Sequence, residues 1–405
     1  MKYGLIVFKN TSNLGDDIQS YAIKKLLPNV DYYIEREKIN EFVSKNNEKV
    51  KTIISGWFNH DKLSFPPSPF IEPLFISIHF TDELLGNKPI YFTDYFLKYL
   101  KNNEPIGLRD DLVKSYLDEN NIKNYFSGCA TLTIEKFKDI KKNDNICLVD
   151  LDYFITEKIK HEFNNIITKT HYVDEDYTKL SYDERFNYVE NLLRKYQSSK
   201  CVITTRLHCA LPCLALGVPV VLIYKESDID IKNRLSKYTE LVNYVSEEEF
   251  NKNYKQIIKN ITNNKNNYKK YCNELKQTIN TFINKPCLSD KTLNSKLYNE
   301  YFVEQKVNLE QIYISKINKL NNLLNERYEL IKLRENELNK LKLINDGIIL
   351  ENELYKNNFD KLSNDFEITN AQLYKIQNSR TYKVSLKLNQ CLNLLRKFKH
   401  KLLRR

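Results

Sequence analysis

Residues 200–223 read Lys-Cys-Val-Ile-Thr-Thr-Arg-Leu-His-Cys-Ala-Leu-Pro-Cys-Leu-Ala-Leu-Gly-Val-Pro-Val-Val-Leu-Ile. The β-branched run from Val202 to Thr204 suits a strand buried on both faces. Leu207 to Leu216 is apolar throughout and predicts a helix, Gly217 interrupts it, and Val218 to Ile223 resumes as strand. A compact strand–helix–strand unit of this kind belongs to an open α/β sheet. In such sheets ligands bind beyond the carboxyl ends of the strands, where helix amino ends favour anions. Thr205, Arg206 and His208 occupy that edge. A guanidinium and an imidazole two residues apart can hold an anion and move a proton. The plainer alternative is a surface arginine and a helix-capping histidine.

Outward from this unit, strand-like and helical runs alternate: Leu5 to Phe8, a helix over Asp17 to Leu27, Thr52 to Trp57, and a helix over Asp110 to Glu119. A polar break at Ile140 to Asn145 precedes a further strand, Ile146 to Leu151, and helical patterns at Phe154–Ile167 and Asp183–Gln197. The alternation predicts an α/β protein with two Rossmann-like domains built on parallel sheets, over 1–140 and 141–286. Seven of the eight glycines lie before residue 218 and no proline follows Pro286. Beyond it, over 287–378, Ile317, Leu324, Ile331 and Leu338 recur every seven residues. Leu320, Leu323, Leu330, Leu341 and Ile348 widen that stripe, predicting a long amphipathic helix or coiled coil with a register shift near Gly347. Self-association into a homo-oligomer is the functional reading; folding back onto the domains is the alternative.

The 405 residues carry a formal charge of +11, with 28% charged and 41% hydrophobic side chains, a balance that fits a globular rather than a disordered chain. The charge is local. After Glu367 there is no acidic residue, whereas ten lysines and arginines follow, so residues 1–367 are close to neutral. The segment 379–405 interleaves Val384, Leu386, Leu388, Leu392, Leu394, Leu395 and Phe398 with that positive charge. This is the pattern of a basic amphipathic helix for an anionic membrane surface. No aromatic platform or recognisable module accompanies it, which argues against nucleic acid. No run reaches the roughly 18 apolar residues needed to span a bilayer. The expected location is therefore the cytoplasm, with peripheral attachment to the inner face of the cell membrane. The eight cysteines include no C-x-x-C pair, and a reducing compartment is their simplest setting. Cys209 and Cys213 share a helix face near His208, but small buried thiols explain them without a metal.

Other candidate site residues cluster at predicted strand ends. Asn13, Gly15, Asp16, Asp17 and Gln19 follow the first strand; Asp16 or Asp17 is expected to cap the helix, and the group also suits sugar hydroxyls. One glycine does not make a dinucleotide fingerprint. Trp57 and Asn59 end a second strand, and His79 a third, where an aromatic face beside an amide suits a sugar. Arg109 precedes a helix that Asp110 or Asp111 is expected to cap. Ser127 and Gly128 open a small-residue segment, Ser127-Gly128-Cys129-Ala130-Thr131-Leu132-Thr133.

Asn13-Leu14-Gly15-Asp16-Asp17, Gly107-Leu108-Arg109-Asp110, the segment from Ser127 to Thr133, and Arg206-Leu207-His208 together resemble the polysaccharide pyruvyl transferase family over about residues 3–245. Where that family more commonly has Asp-Pro-Ala, this chain has Ser127-Gly128-Cys129. Ser379-Arg380-Thr381-Tyr382-Lys383 is similar to the tails of bacterial surface-polysaccharide glycosyltransferases. The resemblance implies two domains similar to the GT-B arrangement with a site in the cleft between them. It also implies phosphoenolpyruvate as co-substrate, no further cofactor and no metal, and a pyruvate ketal formed on a sugar of a surface polysaccharide or its lipid-linked oligosaccharide precursor. In that scheme His208 is the general acid/base, and Arg206, Arg109, Thr205, Ser127 and Gly128 hold the donor. Asn13, Gly15, Asp16, Asp17, Gln19, Trp57, Asn59 and His79 face the acceptor. Two other functions stay open: a glycosyltransferase of GT-B type using a nucleotide sugar, and a non-catalytic, membrane-attached assembly protein.

Overall fold

The computed structural model describes residues 1–58, 64–80, 93–111, 113–224, 237–261, 263–286, 295–345 and 352–378. It is a mixed α/β structure with two parallel sheets. The first sheet comprises β1 (Lys2–Val7), β2 (Tyr32–Glu35), β3 (Val50–Phe58), β4 (Ile71–Phe80), β5 (Ile106–Leu108) and β6 (Asn124–Phe126). Its helices are α1 (Leu14–Lys24), α2 (Asp94–Asn102) and α3 (Lys114–Glu119). The second comprises β7 (Ile146–Val149), β8 (Ile166–Lys169), β9 (Cys201–Thr204), β10 (Val220–Tyr224) and β11 (Asn243–Ser246). With it run α4 (Tyr153–Glu162), α5 (Glu175–Lys179), α6 (Tyr182–Ser198), α7 (Leu207–Ala215), α8 (Glu247–Lys259) and α9 (Tyr268–Asn284).

Both sheets follow one topological plan. The first has the order β2-β1-β3-β4-β5-β6 and the second β8-β7-β9-β10-β11 when read from its opposite edge. In each, the first strand lies between the second and the third, so the winding reverses beside it. The crevices where ligands are expected are therefore at β1/β3 and β7/β9. Residue contacts place both sheets in one compact unit, Met1–Gln305, with a second unit at Lys306–Arg405.

Strand periodicity decides which face goes where. Cys147, Val149, Val202, Val220 and Leu222 join a large core, while Ile146, Leu148, Cys201, Ile203, Val221 and Ile223 join a separate core with Ile155 and Ile159 of α4 and Phe250 and Ile258 of α8. Both faces are apolar because helices cover both sides of a parallel sheet. The large core is shared with the first sheet: Leu5, Val7, Ile53 and Ile76 pack in the same cluster as Ile18 of α1, Val189 of α6 and Leu211 of α7. The last helix of the unit, α9, contributes Leu275, Ile279 and Ile283 to this core. Its carboxyl end is tied to the first sheet, where the buried Lys51 ammonium donates to the carbonyls of Phe282 and Lys285. A cation there meets the negative end of the helix dipole.

A polar seam reinforces the shared core. Asp17 of α1 and Arg185 of α6 are both buried and joined by three hydrogen bonds between 2.7 and 3.0 Å. Tyr177 donates to the same carboxylate at 2.7 Å, and Arg185 also donates to the Phe8 carbonyl at 2.7 Å. Outward along the two helices, Tyr21 and Lys25 reach Glu190, and Lys24 reaches Asp183.

Local predictions and structure differ in three places, each for a physical reason. The first helix begins at Leu14 because Asn13 is its cap, accepting from the Gly15 amide at 3.0 Å; neither Asp16 nor Asp17 caps it. Neither Asp110 nor Asp111 caps α3, which starts at Lys114 after an N-cap Val113 that makes no side-chain bond. The helical pattern predicted through Ile167 stops at Glu162, and Ile166–Lys169 becomes β8 because pairing with β7 overrides local propensity.

The second unit is helical. Beyond residue 305 the long helix α10 (Ser295–Asn345) places Ile317, Leu324, Ile331 and Leu338 on a half-buried stripe, with Leu320 buried. Arg334 of α10 pairs with Asp365 of α11 (Asn352–Asn378) at 3.8 Å. Gly347 and the basic segment 379–405 lie outside the described residues. Among the described residues no helix is long and apolar enough to cross a membrane.

Removing one partner of a buried ion pair strands the other charge, which costs about 3–5 kcal/mol. Arg185→Ala should therefore lower the unfolding free energy by that amount in a denaturant titration, whereas removal of the exposed Lys24–Asp183 contact should cost less than about 1 kcal/mol. The Tyr21 hydroxyl, with Arg194 and Lys25, outweighs burial and holds the Glu190 carboxyl at about 2, below its ordinary 4.5. Because the folded value is depressed, this stabilisation is present above about pH 4.5 and lost as pH falls toward 2. The melting-temperature gap between wild type and Glu190→Gln should thus be widest near neutrality and narrow below pH 4.

Candidate active site

The two switch-point crevices meet head to head. At the amino end of α1, Gly15 lies so close to His208 that an added Cβ would stand 2.8 Å from its Nδ1 and 3.0 Å from its Cβ. A larger residue there would have to press the His208 ring aside. Backbone pairing holds the same junction. The Leu14 amide donates to the His171 carbonyl at 2.7 Å, the Val173 amide donates to the Ser12 carbonyl at 3.1 Å, and Asn13 bridges Tyr172. Thus Asn13 and Gly15 of the first sheet's loop and Arg206 and His208 of the second converge, although nearly 200 residues separate them in sequence.

Arg206 is set in place before any ligand arrives. It is the N-cap residue of α7 in extended conformation, and its amide donates to Thr204 Oγ1 at 2.9 Å. Its Nε donates to Asp150 Oδ2 at 2.8 Å, and its guanidinium lies 4.3 Å from the Tyr172 ring centroid. Asp150 is itself over-determined. It takes a left-handed φ of 54°, and its carboxylate also accepts from Thr170 Oγ1 at 2.6 Å and from the His171 amide at 3.1 Å. Thr205 Oγ1 donates to the Asp150 carbonyl at 2.9 Å, so Thr205 braces the loop. The Arg206 side chain remains 26% exposed. Asp150 holds it through Nε, and a planar guanidinium gripped at one edge presents its other donors as a fork suited to phosphate or carboxylate. His208 lies in the opening turn of α7, where helix geometry adds partial positive charge. Pro212 withdraws the helical hydrogen bond that residue 212 would otherwise give to the His208 carbonyl.

The first sheet contributes a second polar cluster along its own carboxyl edge. Trp57 and His79 are register partners on β3 and β4, with ring centroids 5.3 Å apart, and β4 and β5 pair at Ile78 and Leu108, one residue before His79 and Arg109. His79 Nδ1 pairs with Asp110 Oδ2 at 2.7 Å, and Arg109 Nε lies 3.9 Å from the same oxygen. Arg109 is only 3% exposed; its Nη1 donates to Gln19 Oε1 at 3.0 Å, and Gln19 Nε2 donates to the Gly15 carbonyl at 3.3 Å. The Tyr238 hydroxyl, from the second sheet's side, donates to the Arg109 carbonyl at 2.8 Å. A continuous path of contacts therefore runs from His79 and Arg109 through Gln19 and Gly15 to His208. The β-bulge at Ser77, with φ 53°, lies just before this cluster, a common place for a strand end to be re-aimed.

Not every expected residue reaches the site. Asp17 is enclosed by Arg185 and Tyr177 and joins the two sheets, with no exposed oxygen for a sugar hydroxyl. Asp16 is half-buried and accepts from Thr11 Oγ1 at 2.8 Å. Ser127 bonds inward: its hydroxyl accepts from the Ser77 amide at 2.8 Å and donates to the Leu108 carbonyl at 3.0 Å. Gly128 takes a φ of 73° against Tyr271. Asn59 lies outside the described residues. Cys209 and Cys213 are fully buried core residues. Among the described residues no three His, Cys, Asp or Glu side chains are grouped to hold a metal ion.

Asp150 and Tyr172 carry roles that sequence reasoning missed, as does Asp110 in its pairing with His79. Asp150 had a readable signal: it directly follows the first strand of the second sheet, the other half of the crevice that Arg206 flanks.

No curated protein matches the chain significantly. Among solved structures, similarity extends to an uncharacterised protein of Klebsiella pneumoniae subsp. pneumoniae NTUH-K2044, with 13% identity and a TM-score of 0.37 over 60% of this chain and 92% of that one. It also extends to a crystal structure of accessory secretory proteins 1, 2 and 3 of Streptococcus pneumoniae, with 10% identity and a TM-score of 0.30 over 65% of this chain and 54% of that one. The sequence profile of the polysaccharide pyruvyl transferases matches residues 13–227, which span both polar clusters from Asn13 to His208. The chain belongs to the polysaccharide pyruvyl transferase family.

Proposed function

We propose that the protein transfers the pyruvyl group of phosphoenolpyruvate to two hydroxyls of one sugar in a surface polysaccharide or its precursor. The observation that carries this reading is the junction itself: a pre-set, partly exposed Arg206 and an imidazole, His208, at one helix amino end, closed by Gly15 from the other sheet. Phosphoenolpyruvate is a small trianion, and the Arg206 fork and the amino end of α7 suit its phosphate or carboxylate. Arg109, buried with its Nη1 donating to Gln19 of α1, is the second candidate cation for the donor.

The chemistry needs one proton donor placed at the enol carbon. Protonation of C3 makes C2 electrophilic, and the first sugar hydroxyl adds there, forming a C–O bond and releasing its proton. Phosphate then leaves with the electrons of its C–O bond, and the second hydroxyl adds to give the cyclic ketal and a second proton. A group that gives and takes protons near neutrality fits both stages, and imidazole is the side chain suited to it. His208 is that group. In this reading Asn13, Asp16, Trp57 and His79 are the candidates for contact with the acceptor.

His208→Ala should reduce turnover about 10²- to 10⁴-fold with little change in affinity for phosphoenolpyruvate. Arg206→Ala should raise the KM for phosphoenolpyruvate about 10- to 100-fold, matching the loss of a charge-assisted hydrogen bond, and Asp150→Asn should do the same more weakly. Phosphate release with acceptor glycan from the native surface would measure both. Unchanged kinetics in the His208 and Arg206 variants would overturn the assignment. Gly15→Ala, which forces His208 aside, should lower kcat while leaving the melting temperature near wild type. Mass spectrometry of surface glycans from cells with and without the protein should show a gain of one pyruvate less one water.

A further inference from the structure

Arg206 is held on two sides, and a single hydroxyl organises both. Among the described residues its Nη1 and Nη2 make no hydrogen bond within the protein; only Nε is engaged, by Asp150 at 2.8 Å. The free end of the guanidinium is what an anion meets, and its direction depends on what fixes the rest of the side chain. Asp150 fixes the Nε edge, and Tyr172 covers a face, with its ring centroid 4.3 Å from the guanidinium carbon. Thr170 joins these two holders. Its Oγ1 donates to Asp150 Oδ1 at 2.6 Å and accepts from the Tyr172 amide at 3.0 Å. Backbone pairing then aims the ring. Tyr172 bridges Asn13, and on either side the Leu14 amide donates to the His171 carbonyl and the Val173 amide to the Ser12 carbonyl. Side chains alternate along such an extended segment. His171 is buried and Val173 half-buried, whereas Tyr172 is 66% exposed and belongs to neither core.

We propose that Tyr172 and Thr170 are positioning residues for the donor anion, ordering the Arg206 fork before the anion binds. The aromatic face attracts the guanidinium charge and takes one of its faces out of water. It also limits the rotations of a long side chain, so less freedom is lost when the anion is gripped. Among the described residues the Tyr172 hydroxyl makes no hydrogen bond within the protein, so the ring carries the effect. Thr170 turns the two holders into one device. Without its hydroxyl, Asp150 loses a hydrogen bond and the Tyr172 backbone loses its tie together. That the anion is phosphoenolpyruvate rests on the transfer reading above; that these residues order Arg206 for an anion does not.

The test is calorimetry of the full-length protein with phosphoenolpyruvate and, separately, with inorganic phosphate, beside steady-state kinetics. Tyr172→Ala should weaken binding of both anions about 3- to 30-fold, the range of a cation–π contact. The KM for phosphoenolpyruvate should rise by the same factor, with kcat at saturation within about twofold of wild type. Tyr172→Phe should restore affinity, whereas Tyr172→Leu, which fills the space without an aromatic face, should not. Thr170→Val should weaken binding about 2- to 10-fold, and Thr170→Ser should recover it. In an Arg206→Ala background neither Tyr172→Ala nor Thr170→Val should lower affinity further, because both act through Arg206. The proposal fails if Tyr172→Ala binds both anions as wild type does, if Tyr172→Leu restores affinity as well as Tyr172→Phe, if the losses add to that of Arg206→Ala, or if wild type binds neither anion. A wild type that binds phosphate in a Tyr172-dependent way but neither binds nor turns over phosphoenolpyruvate would overturn the transfer reading and leave the positioning roles standing.

Discussion

The structure depends on one close approach, the head of α1 against the head of α7, where Gly15 leaves no room between its backbone and the His208 ring. Two sheets with the same winding order bring their crevices together where these helix ends touch. The contact is short and polar, so it does not hold itself. It is held by what lies behind it: the core common to both sheets and the Asp17–Arg185 pair between α1 and α6. A buried pair like this one is weak as a source of net stability, because desolvation offsets its attraction. Its value here is geometric, since only one register of α1 against α6 satisfies both charges.

Carboxylates repeat that logic elsewhere. Asp17 positions Arg185, Asp150 positions Arg206, and Asp110 lies between His79 and Arg109. In the first case both partners are buried and the pair is architectural. In the second the arginine stays partly exposed, so its orientation is settled while its outer donors face solvent. An arginine ordered in advance loses less side-chain entropy when it grips an anion. The left-handed backbone of Asp150 is consistent with such a role, because strained residues persist where neighbours over-determine them.

Much of the second sheet was legible from residues 200–223. A β-branched run, an apolar helix and a second β-branched run leave few alternatives, and β9, α7 and β10 appear within two residues of expectation. The heptad stripe through Ile317, Leu324, Ile331 and Leu338 was equally readable, because helical periodicity is local. β8 was not, since Ile166–Lys169 continues a helical pattern and becomes strand only through its pairing with β7. The acidic residues were the hardest to read. In sequence Asp17 looks like a helix cap or a hydroxyl ligand and Asp110 like a helix cap, and nothing nearby indicates that Arg185 and His79 are their partners.

Apart from elements such as β8 that pairing decides, the amino-acid sequence by itself determined the elements and the residue types at their ends: arginine, histidine, aspartate and glycine at the carboxyl edges of strands. Those follow from periodicity and turn chemistry, which act over a few residues. Only the tertiary structure decided which of those residues meet. It joined Gly15 to His208, assigned Asp17 to Arg185 and Asp150 to Arg206, and left Tyr153 and Phe154 in solvent. The physical reason is that charge pairing and steric fit act through space, between groups whose separation along the chain carries no information about their distance.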